Sequence, residues 1–427
     1  MQQSKQTENR ISPQWSFVCH MEYEDGSAIC RVEKEGATVK VKPVEIAPAS
    51  REEADPPVFL GLDGQDRVIL MDPVSKAVTM TDSCPENAFA PYAYREPDSD
   101  RIWFVYDGDK ETGCDQLNCG SEGSPVIVFD ATGPALLGLV CVGRGHHVTT
   151  FTSPSDAFPH MPRRAFVSNL LDGSISVLGN DPADAKRYLK VLDVIDLCEP
   201  DKEKDGKTGT PNNAFPHGKV FSPVTGKIYS LNNGYGTIAV IDPVSNGIEQ
   251  TIELKVSSNL LLSPGGRYLI GKGADRKTDP DHVVGRLSVV DIQRGCVVTT
   301  LDLPDLYPST YRFTPDGSKL YVTSAATGKG GQRDNLKKDV VHVYDASGLP
   351  ELALVDEIAV GVADCGRRPV AFAVSDEGQT AFIPNPTDGT VSIVDVDSGR
   401  VTGMVTVGDR AIKEFNFSFW DGAVSGC

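Results

Sequence analysis

The sequence predicts an all-β fold assembled from one repeated unit, and three observations predict it. A recognisable pattern returns about every 50 residues along the 427-residue chain, a period that marks a repeat architecture. Within each period, short runs alternate apolar or β-branched residues with polar ones, which is the period of a strand rather than a helix. Turn motifs rich in Gly and Pro punctuate the runs.

The clearest copy is FSPVTGKIYSLNNGYGTIAVIDPVSNGIEQTIEL, beginning at Phe221. It reads as four strands, A to D, over 218–222, 227–231, 237–242 and 248–254. The A–B turn SPVTGK recurs as SPGG at Ser263, TPDG at Thr314 and SDEG at Ser375. Strand C recurs as VILMD, VIVFD, LSVVD, VHVYD and VSIVD, ending on Asp72, Asp130, Asp291, Asp345 and Asp395. Those aspartates suit turn initiation by side-chain bonding to the backbone. With Leu178 and Asp242, strand C counts seven units, one of them degenerate.

Four antiparallel strands per unit fit a β-propeller of seven blades, or eight if residues 14–48 make a further blade rather than a cap. The first unit, 58–80, lacks a strand A. The apolar segment IKEFNFSFW, starting at Ile412, is expected to supply it and so close the ring. This divides the chain into an N-terminal extension, 1–50, and a propeller, 51–427. The motifs AFVSN at Ala165, IYSLN at Ile228, LYVTS at Leu320 and AFIPN at Ala381 resemble the YVTN-type propeller repeat over roughly residues 56–410. That resemblance implies a fold more than an activity.

Net charge is −18, with 59 acidic against 41 basic residues. This argues against nucleic acid or an anionic membrane surface as partner. No apolar run reaches the roughly 18–20 residues a membrane span needs. The start, MQQSKQTENRISPQW, lacks the apolar region of a secretory signal. The expectation is a cytoplasmic protein, or one that has lost a leader. The ten cysteines form no CxxC pair, so neither a zinc ribbon nor a thioredoxin motif is supported.

Topology then points to one face. In an up-and-down blade the A–B and C–D turns share one end of the ring, and the B–C loops and D–A crossovers share the other. The first set is short except at 153–164. The second is elaborated, at 107–124, 271–285, 325–339 and the crossover 197–216. Long one-sided insertions read as functional.

Chemistry-bearing residues gather on that face. His146 and His147 open strand A of the third unit, and His217 opens strand A of the fourth. His282 lies in the next B–C loop. Imidazoles converging from neighbouring blades suit copper, zinc or iron. Adjacent strand residues point to opposite faces, so both His146 and His147 reach one metal only through a local irregularity, which Gly143 and Gly145 make available. His20, His160 and His342 read as structural. The His pair resembles the copper propeller of nitrous-oxide reductase and related copper dehydrogenases. That family rings its centre with histidines, whereas other blades here start at Asn259, Ser309 and Pro369. One or two metals fit this pattern better than a cluster.

Arg144, Arg367 and Arg368 stand at strand A entrances, suited to an anionic or polar substrate. Cys114 and Cys119 read as a loop staple or as thiols, and Cys84, Cys198 and Cys365 as crossover thiols. No GxSxG, HExxH or P-loop occurs. The leading expectation is a metal-dependent oxidoreductase, copper favoured, acting on a small molecule at the channel mouth. Its metal ligands are His146, His147, His217 and His282, and Arg144 and Arg367 bind substrate. The alternatives are a non-catalytic propeller whose loops bind a protein partner, and a lactonase-like hydrolase.

Overall fold

The computed structural model describes residues 15–23, 26–44, 46–47, 58–62, 67–71, 78–83, 92–97, 99, 101–105, 119, 124–130, 135–326, 328, 330–364, 368–373, 377–412 and 414–419. Among these stand eight four-stranded sheets, of which seven are antiparallel throughout, as in a seven-bladed β-propeller, and one is mixed. Six of those seven follow the sequence repeat, each with strand A innermost. The third blade is His146–Thr152, Arg164–Asn169, Ser174–Gly179 and Val191–Asp196. The fourth is Pro216–Ser222, Lys227–Asn232, Thr237–Ile241 and Ile248–Glu253. The fifth is Asn259–Leu262, Tyr268–Asp275, Val284–Asp291 and Cys296–Pro304. The sixth and seventh begin at Pro308–Phe313 and Ala371–Phe372, and the second at Tyr92–Arg95.

The seventh antiparallel sheet closes the ring, and here the expected pairing is corrected. Glu414–Phe419 pairs with Ser16–Tyr23, not with the first repeat unit. The sheet continues outward through Gly26–Glu35 and Thr38–Pro43. The N-terminal strands offer a long apolar alternation (Phe17, Cys19, Met21) that the C-terminal strand completes as innermost member. The first repeat unit instead builds a mixed sheet. Val58–Leu62 is its inner strand and lies beside Glu414–Phe419. Its outer strand, Ile46–Ala47, pairs parallel to Val78–Ser83.

The core sits between blades rather than within one. Trp15, Phe17 and Met21 pack on Phe382 and Ile393, joining the closing blade to the seventh. Leu231, Val240 and Leu254 pack on Leu260, Leu269 and Val290, joining the fourth to the fifth. Each such side chain contributes about 1.5–3 kcal/mol by leaving water, so every blade depends on its neighbours.

Local motifs act as the sequence predicts. Asp242 Oδ1 accepts from Val244 N at 3.0 Å, Asp291 Oδ1 from Gln293 N at 3.0 Å, and Asp395 Oδ1 from Ser398 N at 2.8 Å. Asp72 lies outside the described residues. The terminal Asn of AFVSN and AFIPN clamps strand B to strand C. Asn169 Nδ2 donates to Ser174 and Ser176 hydroxyls at 3.1 and 3.0 Å. Asn385 Nδ2 does the same to Thr390 and Ser392 at 3.0 and 2.9 Å.

The crossovers share a bend. Phe215, Val256 and Asp305, just before strand A of the fourth, fifth and sixth blades, have φ of 49°, 55° and 54°. A β-branched residue is a real outlier there. Its recurrence in three crossovers makes it part of the architecture. The bend presses the Val256 carbonyl so close to Gly273 that a Cβ would stand 2.3 Å from it.

Candidate functional site

The face carrying the B–C loops and crossovers is where the histidines meet. His147 is buried, and its ring centroid lies 4.4 Å from that of His217, the planes tilted by 39°. Two adjacent inner strands bring them together. The expected irregularity exists. The register against the third blade's strand B shifts between His146 and Thr149, after Gly145 at φ 65°. His146 opens the strand opposite Asn169. His217 Nδ1 lies 2.5 Å from the Ser258 carbonyl oxygen. A carbonyl only accepts, so Nδ1 carries the hydrogen, and in the neutral ring the lone pair is then on Nε2.

The other expected site residues are placed as follows. His282 is on the exposed fifth-blade loop, with Nδ1 2.8 Å from Asp305 Oδ1. The hydrogen bond and charge of Asp305 hold its imidazole above the ordinary value. Arg144 is engaged by Asp172, its backbone N and Nε each donating to the carboxylate at 2.8 Å. Arg367, Cys84, Cys114 and Cys365 lie outside the described residues. Arg368 is fully buried, and Nη2 donates to the carbonyls of Lys338 (3.0 Å) and Gly361. Burial pulls its guanidinium down to about 10. His342 is buried in the sixth blade beside Tyr344, and burial pushes its imidazole down. The expected loop staple is corrected. Cys119 is bonded to Cys141, which ties the second blade's B–C loop to its own outer strand. Among the described residues, no three His, Cys, Asp or Glu side chains stand close enough to hold a metal ion.

The inner strands have a further chemistry that the sequence did not reveal. Strand A has an edge facing the channel, whose carbonyls have no ladder partner. Side chains from the adjacent blade reach several of them. Lys219 Nζ donates to Val148 O at 3.1 Å and to the Ser168 hydroxyl at 3.0 Å. Arg312 donates to Val370 O at 3.2 Å, and Thr323 to Arg368 O at 2.7 Å. His217 on Ser258 belongs to the same stitching. Burial pushes Lys219 well below the ordinary lysine range.

On the same face the loops border an open cleft of about 840 Å³. Asn233 and Val256 line it from the fourth and fifth blades' side, and Arg276, Lys277, Gly328 and Gln332 from the fifth and sixth blades' B–C loops. Val256 is two residues from Ser258, so one crossover borders both the cleft and the histidine pair. The long loops at 271–285 and 325–339 signalled this region. Which of their side chains face the cleft depends on how the two loops pack.

No protein-family model matches the chain. No curated relative matches it either. Solved structures share the fold at low identity. A chain of Kuenenia stuttgartiensis hydrazine synthase superposes with TM-score 0.53 at 15% identity, covering 81% of this chain and 97% of that one. A Lactobacillus plantarum protein gives TM-score 0.53 at 12% identity, covering 95% and 99%. A chain of the mitotic checkpoint complex gives 0.52 at 10%, covering 90% and 92%. At these identities the likeness establishes the β-propeller fold and nothing of the chemistry.

Proposed function

We propose that this propeller acts on a small molecule at the loop-rich mouth of its channel, as a metal-dependent oxidoreductase in which His147 and His217 hold the metal. The observation that carries the reading is the imidazole pair, ring centroids 4.4 Å apart, contributed by two blades. The Ser258 carbonyl orients His217 as outer partners orient metal-ligating histidines, and in the neutral ring this leaves Nε2 as the ligating nitrogen. Neutral imidazoles suit copper or zinc and not the oxygen-seeking magnesium or calcium. Zinc has no redox chemistry, so of these two an oxidoreductase calls for copper. His146, next in the chain, would be the third ligand. A bound copper would supply one-electron exchange with the substrate, and the chain's own residues would hold substrate and exclude water.

The test is elemental analysis of protein purified without chelator, beside the double variant H147A/H217A. Near-stoichiometric copper in the parent, lost in a variant of unchanged circular dichroism, is expected. Metal retained by the variant, or no uptake by the parent after loading, overturns the assignment. A second reading, recognition of a protein partner, is favoured by Phe215, 39% exposed beside the mouth. Metal-free protein that captures a partner through this face would favour it.

A further inference from the structure

We infer that the cleft between the fifth and sixth blades is a binding site for a small oxyanion, a carboxylate or phosphate group, held by Arg276 and Lys277. The inference stands apart from the metal, because it uses none of the histidines. Volume comes first. About 840 Å³ falls in the range of small-molecule sites, roughly 300–1,000 Å³.

Charge comes next. This is an acidic chain, at −18, and many of its surface cations are paired. Lys202 meets Glu199 and Glu253, Lys227 meets Asp242 and Glu249, and Arg267 meets Asp291. On the same face Lys338 meets Asp364, and Arg286 meets Asp302. Among the described residues, Arg276 and Lys277 have no carboxylate partner. The neighbouring acid, Asp275, also lines the cleft, but its carboxylate is taken up by its own loop. It accepts from the backbone N of Lys277 and Thr278 at 2.9 and 3.1 Å and from the Thr278 hydroxyl at 2.6 Å.

Arg276 is also positioned in advance. Gln332 is buried, and its Nε2 donates to the carbonyls of Arg276 at 3.1 Å and Asp279 at 2.6 Å. Those two bonds fix the Arg276 backbone against the sixth-blade loop. The guanidinium lies 5.5 Å from the Tyr307 ring centroid, a cation–π contact that steers it without neutralising it. A planar fork already held in place loses little entropy when an oxyanion docks.

Isothermal titration of the full-length, EDTA-treated protein with inorganic phosphate, and separately with succinate, tests this. Saturable binding of at least one is expected, and which one binds identifies the anion source. R276Q/K277Q should weaken it by about tenfold or more, the loss of one charge-assisted hydrogen bond. K186Q, on an exposed loop of the third blade, should leave it unchanged. Absence of saturable binding by both anions, or equal binding by R276Q/K277Q and parent, overturns the inference. Because the protein is metal-free throughout, the outcome is independent of whether His147 and His217 hold copper.

Discussion

A single ion pair decides the chemistry of His282. A metal ligand must offer a lone pair, and a protonated imidazole offers none. Asp305 favours the charged ring by hydrogen bond and by charge, and so raises its pKa. The folded value exceeds the unfolded one, near 6.5. The pair's contribution is therefore fully present below that unfolded value and lost as pH rises through the raised folded value. D305N should bring the His282 midpoint down toward the ordinary value in an NMR titration. An unchanged midpoint would show that the pair does not form in solution. The motif had placed His282 on the right face. Its engagement with Asp305 could not be read there, because the partner comes from a different connection, 23 residues on. The same holds for Arg144, whose partner Asp172 sits 28 residues away.

Strands, turns and crossovers depend on different information. Strands and turns are local, so alternation and the Asp and Gly motifs revealed them. The motifs AFVSN and AFIPN were visible as repeats, but the clamp of two hydroxyls by their Asn emerges only when strands B and C stand side by side. Crossover bends were not visible, because Phe215, Val256 and Asp305 share no residue type. What they share is a tight approach to the B–C hairpin. That approach makes a clear distinction among glycines. Gly273→Ala, with a carbonyl 2.3 Å from the new Cβ, should cost about 1–3 kcal/mol or more. Gly265→Ala, with nothing within 4 Å, should stay within about 0.5 kcal/mol of the parent. Denaturant unfolding of both variants checks this. Equal midpoints would remove the crossover's close packing from the account.

At the scale of the molecule, stability depends on closure. Cores lie between blades, so a gap in the ring leaves two apolar faces and two strand edges uncovered. Ending the chain at residue 412 removes Glu414–Phe419, the inner strand of the closing blade. Such a protein should melt at a lower temperature and associate through the freed edge, as seen by calorimetry and size-exclusion chromatography. A monomer with an unchanged melting curve would mean that closure contributes little. Among the described residues no helix is long and apolar enough to cross a membrane.

What the sequence by itself determined was everything set by short range: strand period, turn chemistry, the repeat, and the face on which long loops collect. Those features follow from backbone sterics and from residues within one hairpin. Tertiary structure decided everything that depends on which strands become neighbours. It joined the two chain ends in one sheet and bonded Cys119 to Cys141. It set His147 against His217, and it left Arg276 and Lys277 lining a cleft while cations such as Lys202 and Lys227 found carboxylates. The physical reason is that packing between blades carries no local period. Apolar residues suited to one neighbour suit another equally well, and only closure of the whole ring selects among them.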